Sequence, residues 1–260
     1  MSKYLDFVIE TAFEAGSLLM TNYGKVHGLD WHTRTNFKIE VDKKSDELIR
    51  KRIKEFYPDH NIFSEEDEGL KRKSDLSWVV DPLDGTIPYT LGFSDHFSVA
   101  ISLARGERPI IGVIYAPKRN ELYFAEDGRG AFCNNNRIKI SDETDINRVV
   151  IGLDYGKETK DFKRSSVASL YQKLLGPNGI TAPVSFACAS VPLCLTAKGN
   201  LHAYMALSLE PWDMAAAVVI NREAGARVTN LKGREWQLRD ASILSANPKL
   251  HKRLLRLIRR

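Results

Sequence analysis

Residues 78–93 read WVVDPLDGTIPYTLGF, and the reading of this stretch decides how the rest of the chain is understood. Trp78, Val79 and Val80 favour strand and predict one that ends at Val80. Asp81 then sits at the carboxyl end of the strand, where open sheets place ligands. Pro82 biases Asp81 toward extended backbone and keeps a helix from starting early. Asp84 lies across a tight turn, so both carboxylates face one point with the Leu83 carbonyl between them. Gly85 permits close approach of a ligand to the backbone. The amides of Gly85 and Thr86 suit a phosphate where a helical turn begins there. Pro, Asp and Gly are also ordinary turn residues, so this stretch alone does not separate a site from a loop.

Other acids extend the pattern. Glu65 and Glu66 follow the apolar run NIF, and Asp213 follows Trp212 at the start of a long apolar helix. Taken singly, the glutamates read as a solvated loop and Asp213 as an N-terminal helix acid. Taken together, they require a cation. Two carboxylates about 4 Å apart repel by roughly 4 kcal/mol at an effective dielectric near 20. The six histidines form no HxxxH or HExxH motif, and the three cysteines form no CxxC pair. An oxygen-only donor set selects magnesium or manganese over zinc. Two such ions roughly 3.5 to 4 Å apart suit phosphoryl chemistry, one activating water and the other steadying the leaving oxygen.

Working outward, Leu5, Val8, Ala12 and Leu19 predict a helix over 3–23 that Gly24 stops, and Leu48, Ile49, Ile53 and Phe56 predict an inward face on a helix over 41–56. HFSVAISLARG, PIIGVIYAP, ELYFAEDG and GAFCNNNRIKI predict successive strands at hairpin distances, with NNN as a turn. RVVIGLD, LHAYMAL, ARVTN and SILSAN predict further strands, alternating with helices near 163–175, 191–198 and over WDMAAAVVINREAG. Leu254, Leu255 and Ile258 share a face of a last, arginine-rich helix that docks on the core. The mix is a layered α+β or α/β unit: one domain over 1–260, with an α+β half to about 150 and an α/β half after it.

With 43% hydrophobic and 27% charged residues, the 260-residue chain has an ordinary globular composition. No apolar run reaches a membrane span, and Asp6, Glu10 and Glu14 interrupt the N-terminal segment where a signal peptide would be apolar, so a cytoplasmic location is expected. The net charge of +5 fits a solvated surface, much of the excess lying in the C-terminal helix. There is no GxxxxGK[ST] loop of an NTPase and no RNA-binding motif.

WVVDPLDGT resembles the first signature of the inositol monophosphatase family, and PWDMAAAVVINREAG resembles the second. SEEDEG is similar to the family's Gly-Glu-Glu segment and KIEVDKKSDELI to its upstream aspartate helix, with matching order over about residues 4–256. The resemblance implies an αβαβα sandwich and magnesium-dependent hydrolysis of a small phosphomonoester. It assigns Glu65, Asp81 and the Leu83 carbonyl to a first metal, and Asp81, Asp84 and Asp213 to a second. Glu65 also holds a weaker third ion, where lithium is expected to inhibit. Thr86 with Asp42 orients and deprotonates the attacking water, and the Gly85 and Thr86 amides hold the phosphate. The resemblance further implies a homodimer, for which the apolar strands HFSVAISL and IIGVIYA are expected to supply the interface.

The departures from the pattern spare the metal ligands. They are Ser64, Pro88-Tyr89 and Ala217, together with Val184, Ala187 and Ser190 where many relatives have Arg-x-x-Gly-Ser-Ala-Ala. Ala206 stands where inositol-specific members carry a glutamate for the sugar hydroxyls. Weak action on inositol 1-phosphate is therefore expected. Fructose 1,6-bisphosphate, nucleotide 3′-phosphates and histidinol phosphate remain as substrates handled by relatives. Association with RNA or the transcription machinery remains as a non-enzymatic alternative.

Overall fold

Ser2 opens the first helix, its hydroxyl accepting the Leu5 amide at 3.3 Å. The apolar stripe of Leu5, Val8, Ala12, Ala15 and Leu19 is fully buried, and Gly24 takes the left-handed conformation (φ +75°) just past the end. The computed structural model describes residues 2–25, 30–33, 36–70, 72–156 and 164–259. Among these the elements are α1 (Lys3–Asn22), β1 (Asp30–Thr33), β2 (Asn36–Lys38), α2 (Glu40–Phe56), β3 (Asn61–Ser64), β4 (Asp67–Leu70), β5 (Leu76–Asp84), α3 (Thr86–Leu91), β6 (Ser98–Arg105), β7 (Arg108–Ala116), β8 (Glu121–Glu126), β9 (Ala131–Cys133), β10 (Asn136–Ile138), β11 (Val150–Asp154), α4 (Arg164–Leu174), β12 (Ala182–Val184), α5 (Ser190–Ala197), β13 (Ala203–Ala206), α6 (Pro211–Glu223), β14 (Arg227–Thr229), β15 (Ile243–Ala246) and α7 (Pro248–Arg259).

Two large sheets set the architecture. The first has eight strands in the order β10-β9-β8-β7-β6-β5-β3-β4, antiparallel except where β3 runs parallel to β5. The second has five, in the order β12-β11-β13-β15-β14, with β11 parallel to both neighbours. Helices α1 and α2 cover one face of the first sheet. Helices α5 and α6 fill the space between the sheets, and α4 and α7 lie on the far side of the second. The result is the layered αβαβα sandwich expected from the sequence.

Helix α6 is held against the first sheet by its backbone. A Cβ built on Gly112 of β7 would lie 2.1 Å from the Ala216 carbonyl oxygen, so no residue other than glycine fits under the helix. Eight residues of α6, from Met214 to Asn221, are buried as a consequence of this two-sided packing.

Several expectations need correction. Strand β5 does not end at Val80 but continues to Asp84. Phe56 is 57% exposed, not inward, and its ring lies tilted at 45° against Phe7. The strands β6 and β7, expected to supply an interface between copies, are mostly buried within this chain under α1 and α6, so they are not the surface through which a second copy docks. The turn expected at NNN is present: AFC and NRI form β9 and β10, folded back at Asn134 (φ +53°). The edge strand β12, β1, β2 and the short α3 carried no sequence signal strong enough to be expected. Residue 163, where the helix expected near 163–175 begins, lies outside the described residues. Among the described residues no helix is long and apolar enough to cross a membrane, and the three cysteines are buried and unpaired.

Candidate metal centre

The turn expected at Pro82 is a bulge inside a strand. Asp81 pairs with Ala100 and Asp84 with Ser98, so three steps along β5 match two along β6. Proline fits here because the ladder is interrupted and no backbone N–H is needed. The bulge brings the two acids to one side. The Leu83 amide donates to Asp81 Oδ1 at 3.1 Å, and Ser45 Oγ of α2 holds the Pro82 carbonyl at 3.0 Å. Gly85 (φ +85°) turns the chain into α3, and Thr86 is the first residue of that helix. A Cβ at Gly85 would lie 2.5 Å from the His96 carbonyl oxygen, so the conformation and the space both demand glycine. Thr86 Oγ1 donates to the Leu83 carbonyl at 3.2 Å. A carbonyl oxygen has two lone pairs, so this bond leaves one for another partner.

Asp213 reaches the same point from α6. It lies at the third position of the helix, and its Oδ2 accepts the Glu210 amide at 2.8 Å. The helix-acid reading of Asp213 is therefore correct as far as it goes, but capping uses one oxygen of two. Ligand oxygens of Asp81, Asp84 and Asp213 all lie within 4.8 Å of one another, the one such group among the described residues. Like charges at that distance repel by about 3 kcal/mol per pair at an effective dielectric near 20. A divalent cation fits this all-oxygen set and removes the repulsion.

Glu65 and Asp42 lie outside that group of three. Glu65 follows β3, and its amide donates to the Val80 carbonyl at 3.3 Å, which sets it beside Asp81 where the parallel pairing of β3 with β5 stops. Asp42 is buried at the start of α2, its Oδ2 accepting the Ile39 amide at 3.1 Å. Asp42 and Asp213 thus share one arrangement: an acid in the first turn that closes its own helix.

Asp84 has further company. Its carboxylate accepts the Ala189 amide at 3.1 Å, the Ser190 amide at 2.7 Å and the Ser190 hydroxyl. Burial pushes this carboxyl up to about 6; the bonds from Ser190 and Ala189 oppose the rise, and the charge of Asp154 adds to it. Asp154, at the end of β11, is raised by burial as well, against bonds from Ser185 and Tyr204. The sequence reading treated Ser190 only as a departure and did not single out Asp154. A terminal acid on RVVIGLD, a strand expected in the alternating half, was the signal available. Cys188, in the same segment, is buried with its thiol pushed up, which excludes a reactive thiolate.

The chain matches the model of the inositol monophosphatase family over residues 1–260. It is 33% identical over 263 residues to the fructose-1,6-bisphosphatase/inositol-1-monophosphatase of Aquifex aeolicus, covering 100% of this chain and 97% of the relative. It is 31% identical over 263 residues to the putative Nus factor SuhB of Neisseria meningitidis serogroup B, covering 99% and 98%. The crystal structure of the extragenic suppressor protein SuhB of Bartonella henselae superposes with a TM-score of 0.92 at 26% identity, covering 100% of this chain and 99% of that one.

Proposed function

The chain belongs to the inositol monophosphatase family, and from that premise we propose that it hydrolyses a small phosphomonoester with magnesium, or manganese in its place. The observation that carries this reading is the convergence of Asp81, Asp84 and Asp213 beside the Gly85-Thr86 turn. Asp81, Asp84 and Asp213 would hold one ion, and Asp81 with Glu65 and the Leu83 carbonyl another. Bound divalent ions neutralise the phosphate and make water more acidic. The chain's own residues then have separate tasks. The Gly85 and Thr86 amides hold the phosphate oxygens. Thr86 Oγ1 and Asp42 orient the attacking water and take its proton. The new P–O bond would form as the ester P–O bond breaks, and the leaving oxygen would take up a proton from solvent water to depart as the alcohol.

The substrate side differs from that of an inositol-specific enzyme. Ala206 is fully buried at the end of β13, with no acceptor for a ring hydroxyl. A hydroxyl left without a buried partner loses about 1 to 3 kcal/mol. The Aquifex relative is named for both fructose 1,6-bisphosphate and inositol 1-phosphate, and of the two Ala206 favours a sugar bisphosphate such as the former. Nucleotide 3′-phosphates and histidinol phosphate complete the panel to be tested. Lithium would compete for the weaker ion position at Glu65. The protein would act in the cytoplasm as a homodimer, through a surface other than β6 and β7.

The experiment is a phosphate-release screen over these esters, with magnesium and with a chelator. Magnesium-dependent release that is highest on a substrate other than inositol 1-phosphate is expected. Absence of release from every ester would overturn the enzymatic reading. A binding role is the second reading, favoured by the relatives named as Nus factors. Salt-sensitive retardation of RNA by the protein in a gel would support it.

A further inference from the structure

Two side-chain hydroxyls converge on Asp154, a carboxylate with no part in the proposed chemistry. Ser185 Oγ donates at 2.7 Å and Tyr204 Oη at 3.1 Å, and the Phe186 and Ala187 amides lie near enough to favour its charged form. Gly152 makes this possible from the neighbouring strand. A Cβ there would lie 2.7 Å from the Tyr204 ring, so the bare backbone lets the ring lie across β11 and its hydroxyl reach Asp154. Ala187 sits at φ +57°, a region costly for a residue with a Cβ, so the segment must be held in place by its surroundings. Two residues further on, the Ala189 and Ser190 amides and the Ser190 hydroxyl grip Asp84. Ser190 Oγ also meets Ser98 Oγ of β6 at 2.6 Å, which fixes the start of α5 to the first sheet.

The grip is lopsided. Asp84 Oδ2 takes the Ser190 amide and hydroxyl together with the Ala189 amide, whereas Oδ1 accepts only the Ala189 amide among the described residues. Oδ2 is saturated and Oδ1 keeps acceptor capacity. We propose that Asp154 is a positioning residue for the metal centre: by fixing residues 185–187 it aims the Ala189 and Ser190 donors, and so presents Asp84 Oδ1 to the ion. This inference rests on the reading of Asp84 as a metal ligand.

The test is direct binding of Mn²⁺ to the whole chain, read from the free-ion electron paramagnetic resonance signal well below the melting temperature of each variant. The set is wild type, Asp84→Asn, Asp154→Asn and Ser185→Ala. Asp84→Asn should abolish the tighter binding. Asp154→Asn should weaken it about 10- to 100-fold, as loss of a ligand's outer partner does. Ser185 is exposed, so Ser185→Ala should fold as wild type does and weaken binding by a smaller factor in the same direction. Turnover of p-nitrophenyl phosphate should show a raised magnesium requirement with KM little changed at saturating metal. Unchanged Mn²⁺ binding in a folded Asp154→Asn overturns the inference. If that variant does not fold, unchanged binding in Ser185→Ala overturns it instead. Equal binding by wild type and Asp84→Asn, or none by wild type, removes the metal-ligand reading of Asp84 and the inference with it.

Discussion

The two sheets each bring a carboxylate to the same place but fix it by different means. On the eight-stranded sheet, Asp81 and Asp84 are aimed by one bulge within a single strand. On the five-stranded sheet, Asp154 is aimed by hydroxyls from β13 and the segment after β12, and that same segment runs on to the Ala189 and Ser190 donors of Asp84. The first arrangement is local and tolerates little change. The second is assembled from distant parts, and each part can vary by itself. A fold built this way can hold its carboxylates while positions around them depart from the family pattern, as Val184 and Ala206 do.

The largest expected effect tests the centre between the sheets. Asp213→Asn keeps the shape and the helix cap but removes a charge from the carboxylate group. Lewis-acid stabilisation is worth several kcal/mol, so turnover should fall about 10³-fold with a raised magnesium demand. Metal titrations of activity, with melting curves beside them, check it. Full turnover in the folded variant would leave Asp213 as a helix acid alone.

The next effect belongs to the second sheet. His251 of α7 is fully buried, its Nε2 2.8 Å from Thr229 Oγ1 of β14. Burial chiefly lowers it from 6.5 to about 4, and the nearby Arg227 charge adds to this. The unfolded chain takes up a proton below about pH 6.5 that the folded chain refuses until about pH 4. The contribution is therefore complete above pH 6.5 and is lost as pH falls toward 4, by about 3 kcal/mol. Urea unfolding at pH 7 and 4.5 should show the loss, and His251→Gln should flatten it. An equal slope in both proteins would assign the acid sensitivity elsewhere.

Thr86→Ala leaves every metal carboxylate in place and removes one hydroxyl from the first sheet's turn. Turnover should fall about 10²-fold, in the range of general acid–base help, with magnesium affinity nearly unchanged. If it loses magnesium affinity as Asp213→Asn does, the division of labour between water and metal is wrong. The smallest effect is Gly152→Ala, whose methyl would press on the Tyr204 ring. Overpacking should cost about 1 to 2 kcal/mol in thermal or urea unfolding. A variant as stable as wild type would show that Tyr204 can move without consequence.

The same contrast explains what could be read from the sequence. The acids of DPLDGT and the acid after Trp212 were legible because their spacing and local propensities place them at element ends. The details between them were not. Pro82 reads as a turn until β6 is seen to pair on past it. The apolar strands β6 and β7 read equally well as a surface between copies or as a core, because alternation says nothing about what covers the second face. Phe56 has the helical spacing of an inward residue, yet it falls at the last position of α2 and is exposed there. Strand β12 is three residues long and contains Pro183, so it carried almost no signal. Ser190 and Asp154 matter through partners 106 and 31 residues away, and one sequence does not announce such pairs.

Gly112 makes the position of Asp213 a mechanical matter. The sheet and α6 touch backbone to backbone at Ala216, one helical turn from that aspartate. The glycine works as the seat of a lever whose far end is the third carboxylate. A single methyl group at the seat would tilt the arm by on the order of an ångström, and misplacement on that scale can cost about 10²-fold in rate. The tolerance of the reaction is thus set partly at a residue that carries no functional group and lies outside the site.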